Sequence, residues 1–298
     1  MRKRRKWLIS AIVVALGGVI ALTAVIERNP WVRAYEQWTT PFPPFRIIGN
    51  LYYVGTYDLA CYLIVTTDGD ILVNTGMWGS TPLIRSNIEA LGFKLSDIKL
   101  LMVTHAHVDH VAAMAEVKRS TGAKMLAMDA EAPLITSGGG KDYRYWWLPL
   151  AWFAPVTVDG TLHDEQKVQL GEFELTVHHH PGHTKGAESI SFQVQENGRD
   201  YQVLIANMPG INPGVRLLHN SRYPDIAADY AHTLEAMKQL SPDVFLASHA
   251  SQFGLHGKYK PGDAYEPDRF VDPDGYRTAI ARLERAYHDE LDREMNQP

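Results

Sequence analysis

The chain of 298 residues has one cysteine, Cys61. An internal disulfide is therefore impossible, and zinc sites built from three or four thiolates are excluded. Cys61 lies in the apolar stretch ACYLIV, where a small buried hydrophobe is the simplest role for it. Positive charge is also scarce in the body of the chain. Five of the 29 basic residues stand in the first six positions, which leaves 24 basic against 34 acidic residues, about −10 by simple counting. A body of that sign without a basic stripe argues against nucleic acid as a partner. Gly-x-Ser-x-Gly does not occur, so the strained serine turn of the α/β-hydrolases is missing.

What is present begins with an N-terminal targeting segment. The basic flank MRKRRK precedes residues 7–26, which are 20 residues without a charge. That is long for the core of a signal peptide and suits one crossing of a bilayer. Leu22 makes a poor cleavage site of LTA at 22–24. Residues 1–27 therefore read as a signal peptide or a retained membrane anchor. In both cases the positive flank stays inside and the body lies in the periplasm, soluble or tethered. Residues 28–47, rich in proline and aromatics, read as an irregular linker, and 48–298 as one folded domain. Apolar residues at 45% and charged residues at 21% are ordinary for a packed body.

Within that domain, short strands are expected at 51–55, 60–67 and 69–76, a helix over 82–92 capped by Ser80 or Thr81, and an interior strand at 98–104. A helix running to Gly122 follows, and then the strand KMLAMD. Residues 136–158 form a long glycine- and aromatic-rich connection. Paired strands at 172–180 and 188–194 flank the loop PGHTKGA. A strand at 201–207, a helix at 225–240, a strand at 243–249 and a last helix over 274–294 complete the pass. One internal echo stands out: DILVNTG, helix, KLLMVTHAH against QVLIANMPG, helix, DVFLASHAS. Each half is strand, loop, helix, strand, with a histidine at the exit of its last strand. The pattern suits a two-sheet α/β sandwich whose site lies where both halves end their strands.

The chemistry concentrates at THAHVDH, residues 104–110. In an extended exit from a strand alternate side chains share one side, so His105, His107 and Asp109 converge. His110 falls where a helix begins and points elsewhere. One short loop thus offers two diverging ligand sets, as two neighbouring metal ions require. Neutral imidazole and carboxylate suit zinc. His183, in a glycine-bounded loop, and His249, at a strand exit, are the further candidate ligands. His178, His179 and His180 alternate along a strand and read as supporting or surface residues. His163, His219, His232 and His288 read as solvated, and His256 as structural.

THAHVDH, PGHTKG and SHASQFGLHGKY together resemble the metallo-β-lactamase superfamily over residues 50–275 or so. The resemblance implies a four-layer αββα sandwich. Its thioesterase, lactonase and nuclease branches carry a bridging aspartate where this chain has Asn207, and two of the lactamase subclasses use a cysteine that is absent here. The remaining pattern resembles class B, subclass 3. That implies two Zn2+ per chain, one on His105, His107 and His183 and one on Asp109, His110 and His249. It implies hydrolysis of the β-lactam amide by a hydroxide shared between the zincs, with Asp109 also orienting the nucleophile, and hence antibiotic resistance. Asn207 or Asn212 would replace the serines that meet the substrate carboxylate in that subclass, and Asn74 stands where many relatives carry aspartate. Trp146, Trp147, Trp152 and Phe153 read either as a lid over a ligand or as a surface for the linker or a membrane. A promiscuous lactone, thioester or other ester hydrolase is the alternative activity.

Overall fold

The computed structural model describes residues 30–296. Twelve strands form two sheets. The first holds β1 (Phe45–Ile48), β2 (Leu51–Tyr53), β3 (Tyr62–Thr66), β4 (Gly69–Val73), β5 (Ile98–Met102), β6 (Lys124–Met128) and β7 (Gly160–Leu162), in chain order. The second holds β8 (Lys167–Leu170), β9 (Phe173–His179), β10 (Glu188–Glu196), β11 (Arg199–Ala206) and β12 (Val244–Ala247), again in chain order. The helices are α1 (Pro30–Thr39), α2 (Thr81–Ala90), α3 (Val108–Val111), α4 (Met114–Thr121), α5 (Ala132–Thr136), α6 (Ile226–Gln239), α7 (Leu255–Lys258) and α8 (Pro273–Met295).

Side-chain alternation stacks the layers. Along β3 and β4, Tyr62, Ile64, Ile71 and Val73 enter a core shared with Val177, Ile190, Val203 and Ile205 of the second sheet. Their neighbours Leu63 and Leu72 turn the other way, onto Ile84 and Ile88 of α2 and Val117 of α4. On the far face of the second sheet, Tyr230 and Leu234 of α6 cluster with Tyr287 of α8. The result is helix, sheet, sheet, helix, the four-layer sandwich expected from the sequence. The echo holds as well: β4 runs parallel to β5 and β11 parallel to β12, each pair joined through a helix.

Several local expectations give way. Residues 30–39 are helical, so the lead-in is not irregular throughout, and Phe45–Ile48 joins the first sheet as its edge strand. The helix is tied down by its last turn: Tyr57 N–H donates to Thr40 O at 2.9 Å and Asp58 N–H to Gln37 O at 3.2 Å. The continuous helix expected after His110 is two short ones, α3 and α4. The loop at 75–76 takes part of their backbone bonding, with Thr75 N–H on His110 O at 2.8 Å and Ala112 N–H on Gly76 O at 3.1 Å. Ser80 occupies the position before α2 but its side chain makes no capping bond, and Pro82 sits in the first turn instead. Of the four aromatics singled out between 136 and 158, Phe153 is core, while Trp146, Trp147 and Trp152 are exposed. Cys61 is buried, and burial pushes its thiol up to about 12. Among the described residues no helix is long and apolar enough to cross a membrane. The charge-free run at 7–26 lies outside them.

Candidate metal centre

The centre begins where β5 stops. Asn74 adopts a positive φ of 63°, and its buried Oδ1 accepts from Thr104 N–H at 3.0 Å and from Thr104 Oγ1 at 3.2 Å. A short polar side chain tolerates this left-handed backbone. Asn74 therefore holds the start of the histidine loop. His105 and His107 then project from the loop, while Asp109 does not continue the extended exit as expected but lies with His110 in the first turn of α3, and all four are buried. His183 is brought in by the loop between β9 and β10. There Gly182, at φ 124°, packs so closely on Tyr230 that a Cβ would stand 2.9 Å from the ring.

Six predicted side chains meet. The His105 and His107 rings are 4.9 Å apart, His105 and His183 4.5 Å, and His107 and His183 4.8 Å. One donor atom from each of these three lies within 4.8 Å of the others, and the same is true of His105, Asp109 and His110. His249, at the exit of β12, joins the second group through Asp109: its Nε2 is 3.4 Å from Asp109 Oδ2, and its ring is 4.9 Å from that of His110.

The donor set fits a metal. His105 Nδ1 and His110 Nδ1 are buried without any partner, and His110 Nε2 has only Asp109 Oδ2, at 3.2 Å and poorly aligned. Buried polar atoms left in that state are costly unless something pairs with them. The outer nitrogens of two other imidazoles are fixed, as they are in metal-ligating histidines. His183 Nδ1 donates to Gly210 O at 2.6 Å, and His249 Nδ1 faces Asp58 Oδ2 at 3.0 Å, which leaves each Nε2 inward. His107 Nε2 stands 3.2 Å from Asp142 Oδ2, an ion-pair distance rather than an aligned hydrogen bond.

Electrostatics follow from the same contacts. Burial drives His105 well below its usual range and His183 down to about 3, with neighbouring imidazoles adding to both. Burial raises the Asp109 carboxyl, but His110 and His249 outweigh it and keep the group ionised. Burial also lowers His249, and there Asp109 and Asp58 prevail and lift it to about 9. Asp58, opposed by its own burial, is brought down to about 2 by His249 and Ser251.

Three acidic residues not singled out in the sequence support the loop. Asp58 backs His249, Asp142 backs His107, and buried Glu131 clamps the two histidine loops together. Glu131 Oε1 accepts from Ala106 N–H at 2.5 Å and Thr184 Oγ1 at 2.9 Å, and its Oε2 from Gly186 N–H at 2.9 Å. Trp38 of α1 was likewise missed; its ring is 5.9 Å from that of His249. The aromatic residues of the lead-in were the only available signal for it. His178 is bound by Glu165 and Ser191, each at 2.7 Å, away from the cluster. His180 contacts Ser189, which accepts from Asn207 N–H at 2.9 Å. His256 stacks on Tyr57 at 3.8 Å. One Ser-x-x-Lys spacing exists, at Ser96 and Lys99, but Lys99 Nζ merely reaches Ser96 O on the exposed surface.

All of the cluster except the fully buried His110 lines a cleft of about 740 Å³. Asn207 and Asn212 both line it, and the Asn207 amide is buried with neither Oδ1 nor Nδ2 partnered. Tyr35 and Trp38 form one wall, with Trp147 and Leu150 among the other lining residues; Arg144 is the lone lysine or arginine among them.

A metallo-β-lactamase superfamily sequence model matches residues 55–195. A metal-dependent hydrolase of Anaeromyxobacter sp. (strain K) is 31% identical over 90 residues, which is 30% of this chain and 32% of that one. The chain thus spans about a third of that curated relative. Solved structures match far more. The class B3 di-zinc metallo-β-lactamase LRA-12 from an Alaskan soil metagenome is 50% identical, over 86% of this chain and 96% of that one, with a TM-score of 0.83. The metallo-β-lactamase GOB-18 from Elizabethkingia meningoseptica is 46% identical, over 87% and 95%, with a TM-score of 0.84. BJP-1 of Bradyrhizobium japonicum, a subclass B3 enzyme, is 35% identical, over 88% and 98%, with a TM-score of 0.80. Identity of this extent, on the same two-sheet fold, makes the chain a member of the metallo-β-lactamase superfamily and of its B3 subclass.

Proposed function

We propose that the chain is an exported hydrolase of β-lactams that works with two zinc ions and confers resistance to these antibiotics. The observation that carries the reading is the convergence of His105, His107, His183, Asp109 and His249 on one cleft, with His110 buried directly against Asp109. Half-identity to a di-zinc B3 enzyme along almost its whole length supports it. In this reading His105, His107 and His183 hold one ion, and Asp109, His110 and His249 hold the other. The place of the body in the periplasm, behind a leader or anchor at 1–27, belongs to the same proposal; the body itself starts before residue 48, because Phe45–Ile48 is a strand of its first sheet.

Bound zinc supplies Lewis acidity and lowers the pKa of a water ligand from 15.7 to about 7. The protein does the rest by position. Asp109 Oδ2 faces His110 and His249, which leaves Oδ1 to orient the attacking water. The water oxygen would add to the lactam carbonyl carbon, the C–N bond would break, and the proton given up by the water would pass to the ring nitrogen. Arg144 and the unpartnered Asn207 amide meet the substrate carboxylate, with Asn212 beside them, where serines are missing. Tyr35 and Trp38 present an apolar wall to the rest of the substrate.

The test is a hydrolysis panel with metal analysis. Nitrocefin and a carbapenem are set against an acyl-homoserine lactone and a thioester. Zinc-dependent turnover of the first two, lost on chelation and restored by zinc, is expected. Turnover of only the lactone or thioester overturns the proposal in favour of a general ester hydrolase.

A further inference from the structure

Eight large apolar side chains are exposed among the described residues, and six of them belong to one end of the molecule. Tyr35, Trp78, Trp147 and Leu150 line the cleft. Trp146 and Trp152 lie in the same connection as Trp147 and Leu150, joined by Trp152 Nε1–H on Trp146 O at 3.1 Å. Leu150 is 75% exposed and Trp147 56%. Clustered apolar exposure of this kind marks a docking surface.

The chain itself indicates what covers it. The charge-free run ends at residue 26, and α1 starts at Pro30. Four Cα steps span at most about 14 Å, and five helical residues add about 7.5 Å. Tyr35, 54% exposed on the cleft wall, therefore stands within about 22 Å of the end of that run. If the run crosses a bilayer, the aromatic rim is held beside the lipid surface at high effective concentration. Tryptophan and tyrosine are the side chains that settle at that depth. The body carries net negative charge, but Arg222 lies 3.9 Å over the Trp146 ring, so the apolar nature of the contact is a matter for the salt test below.

We propose that the rim formed by Tyr35, Trp78, Trp146, Trp147, Leu150 and Trp152 docks on the lipid interface, so that the cleft opens at the membrane surface. The inference rests on residues 7–26 acting as a retained anchor, and not on the choice of substrate.

The full chain carrying Leu150→Cys, labelled with an environment-sensitive fluorophore, is reconstituted into phosphatidylcholine vesicles. Cys61 is buried and stays unlabelled. Glu172→Cys, at an exposed turn of the second sheet, is the control. Co-sedimentation with vesicles, a blue shift at 150 relative to detergent-free body or linker-extended chain, and no shift at 172 are expected. The shift should persist in 0.5 M salt, a concentration at which charge contacts are largely screened. A chain with 20 Gly/Ser residues inserted between Asn29 and Pro30 should lose at least half of it. A chain that does not co-sediment overturns the anchor and the docking together. Co-sedimentation without a shift at 150, or with equal shifts at both positions, overturns the docking alone. A blue shift that accompanies dimerisation in the absence of vesicles assigns the rim to a second copy and also overturns it.

Discussion

Ser248 Oγ donates to Thr104 Oγ1 across the two sheets at 2.8 Å. Each residue directly precedes a candidate ligand, His249 and His105, so one hydroxyl pair ties together the two strand exits that build the centre. Tyr62 Oη on Ala247 O at 2.6 Å and Ala60 N–H on Ser248 O at 3.0 Å reinforce the junction. Thr104 keeps its bond to Asn74 without Ser248, so Ser248→Ala should remove one net hydrogen bond. A loss of about 1 kcal/mol in urea unfolding is expected.

Asp58 should matter to metal affinity more than to stability. It fixes the outer nitrogen of His249 and also accepts from Ser251 N–H at 2.9 Å. Partners of this kind typically contribute 10- to 100-fold in affinity. Asp58→Ala should weaken binding at the Asp109, His110 and His249 group by about that factor, with the His105, His107 and His183 group little changed. Competition with a chromophoric chelator reads the two steps separately, and equal losses at both would refute the assignment.

Arg144 is the lone lysine or arginine among the described residues that line the cleft, and its Nη2 also donates to Pro213 O at 3.0 Å. Arg144→Ala should raise KM for a carboxylate-bearing β-lactam about tenfold, equivalent to about 1.4 kcal/mol, with kcat nearly unchanged. The methyl ester of the same substrate should be insensitive. An equal effect on acid and ester would show that the arginine acts by shaping the loop.

Asp70, at the start of β4, predicts a pH effect remote from the centre. Burial raises its carboxyl from 3.8 to about 6, helped by the nearby Asp97 charge. As pH climbs from about 4 to about 6, the unfolded chain ionises this group while the folded chain keeps it protonated, so stability is lost over that window. The full shift converts to about 3 kcal/mol, which partial solvent screening reduces, so Asp70→Asn should gain about 2 kcal/mol at pH 7 and almost nothing at pH 3.5, measured by denaturant unfolding at both values.

The sequence exposed the features that are local. His105, His107, Asp109 and His110 share six positions, and the alternation of Tyr62, Leu63 and Ile64 declares a strand covered on both faces. His183 and His249 stood out by their glycine-bounded loop and strand exit. Long-range supports were silent. Asp58 is 191 residues from His249, and Glu131 reaches 25 residues back and 55 forward to its partners. An isolated carboxylate in a sequence looks the same whether it ends in solvent or under a metal loop. The helix at 30–39 was hidden for a related reason. Prolines and aromatics obscured its pattern, and its anchoring bonds are made to residues 57 and 58.

Both sheets are laid down in chain order, each strand beside the one before it. A chain emerging amino end first meets almost all of its pairing partners at once, without waiting for distant segments. His105, His107 and His183 are all present once the third strand of the second sheet begins. His249 arrives only with the last strand, so the two halves of the centre mature at different moments of folding. On the proposed division of ligands, the group of three imidazoles is thus complete along the chain well before the group that needs His249.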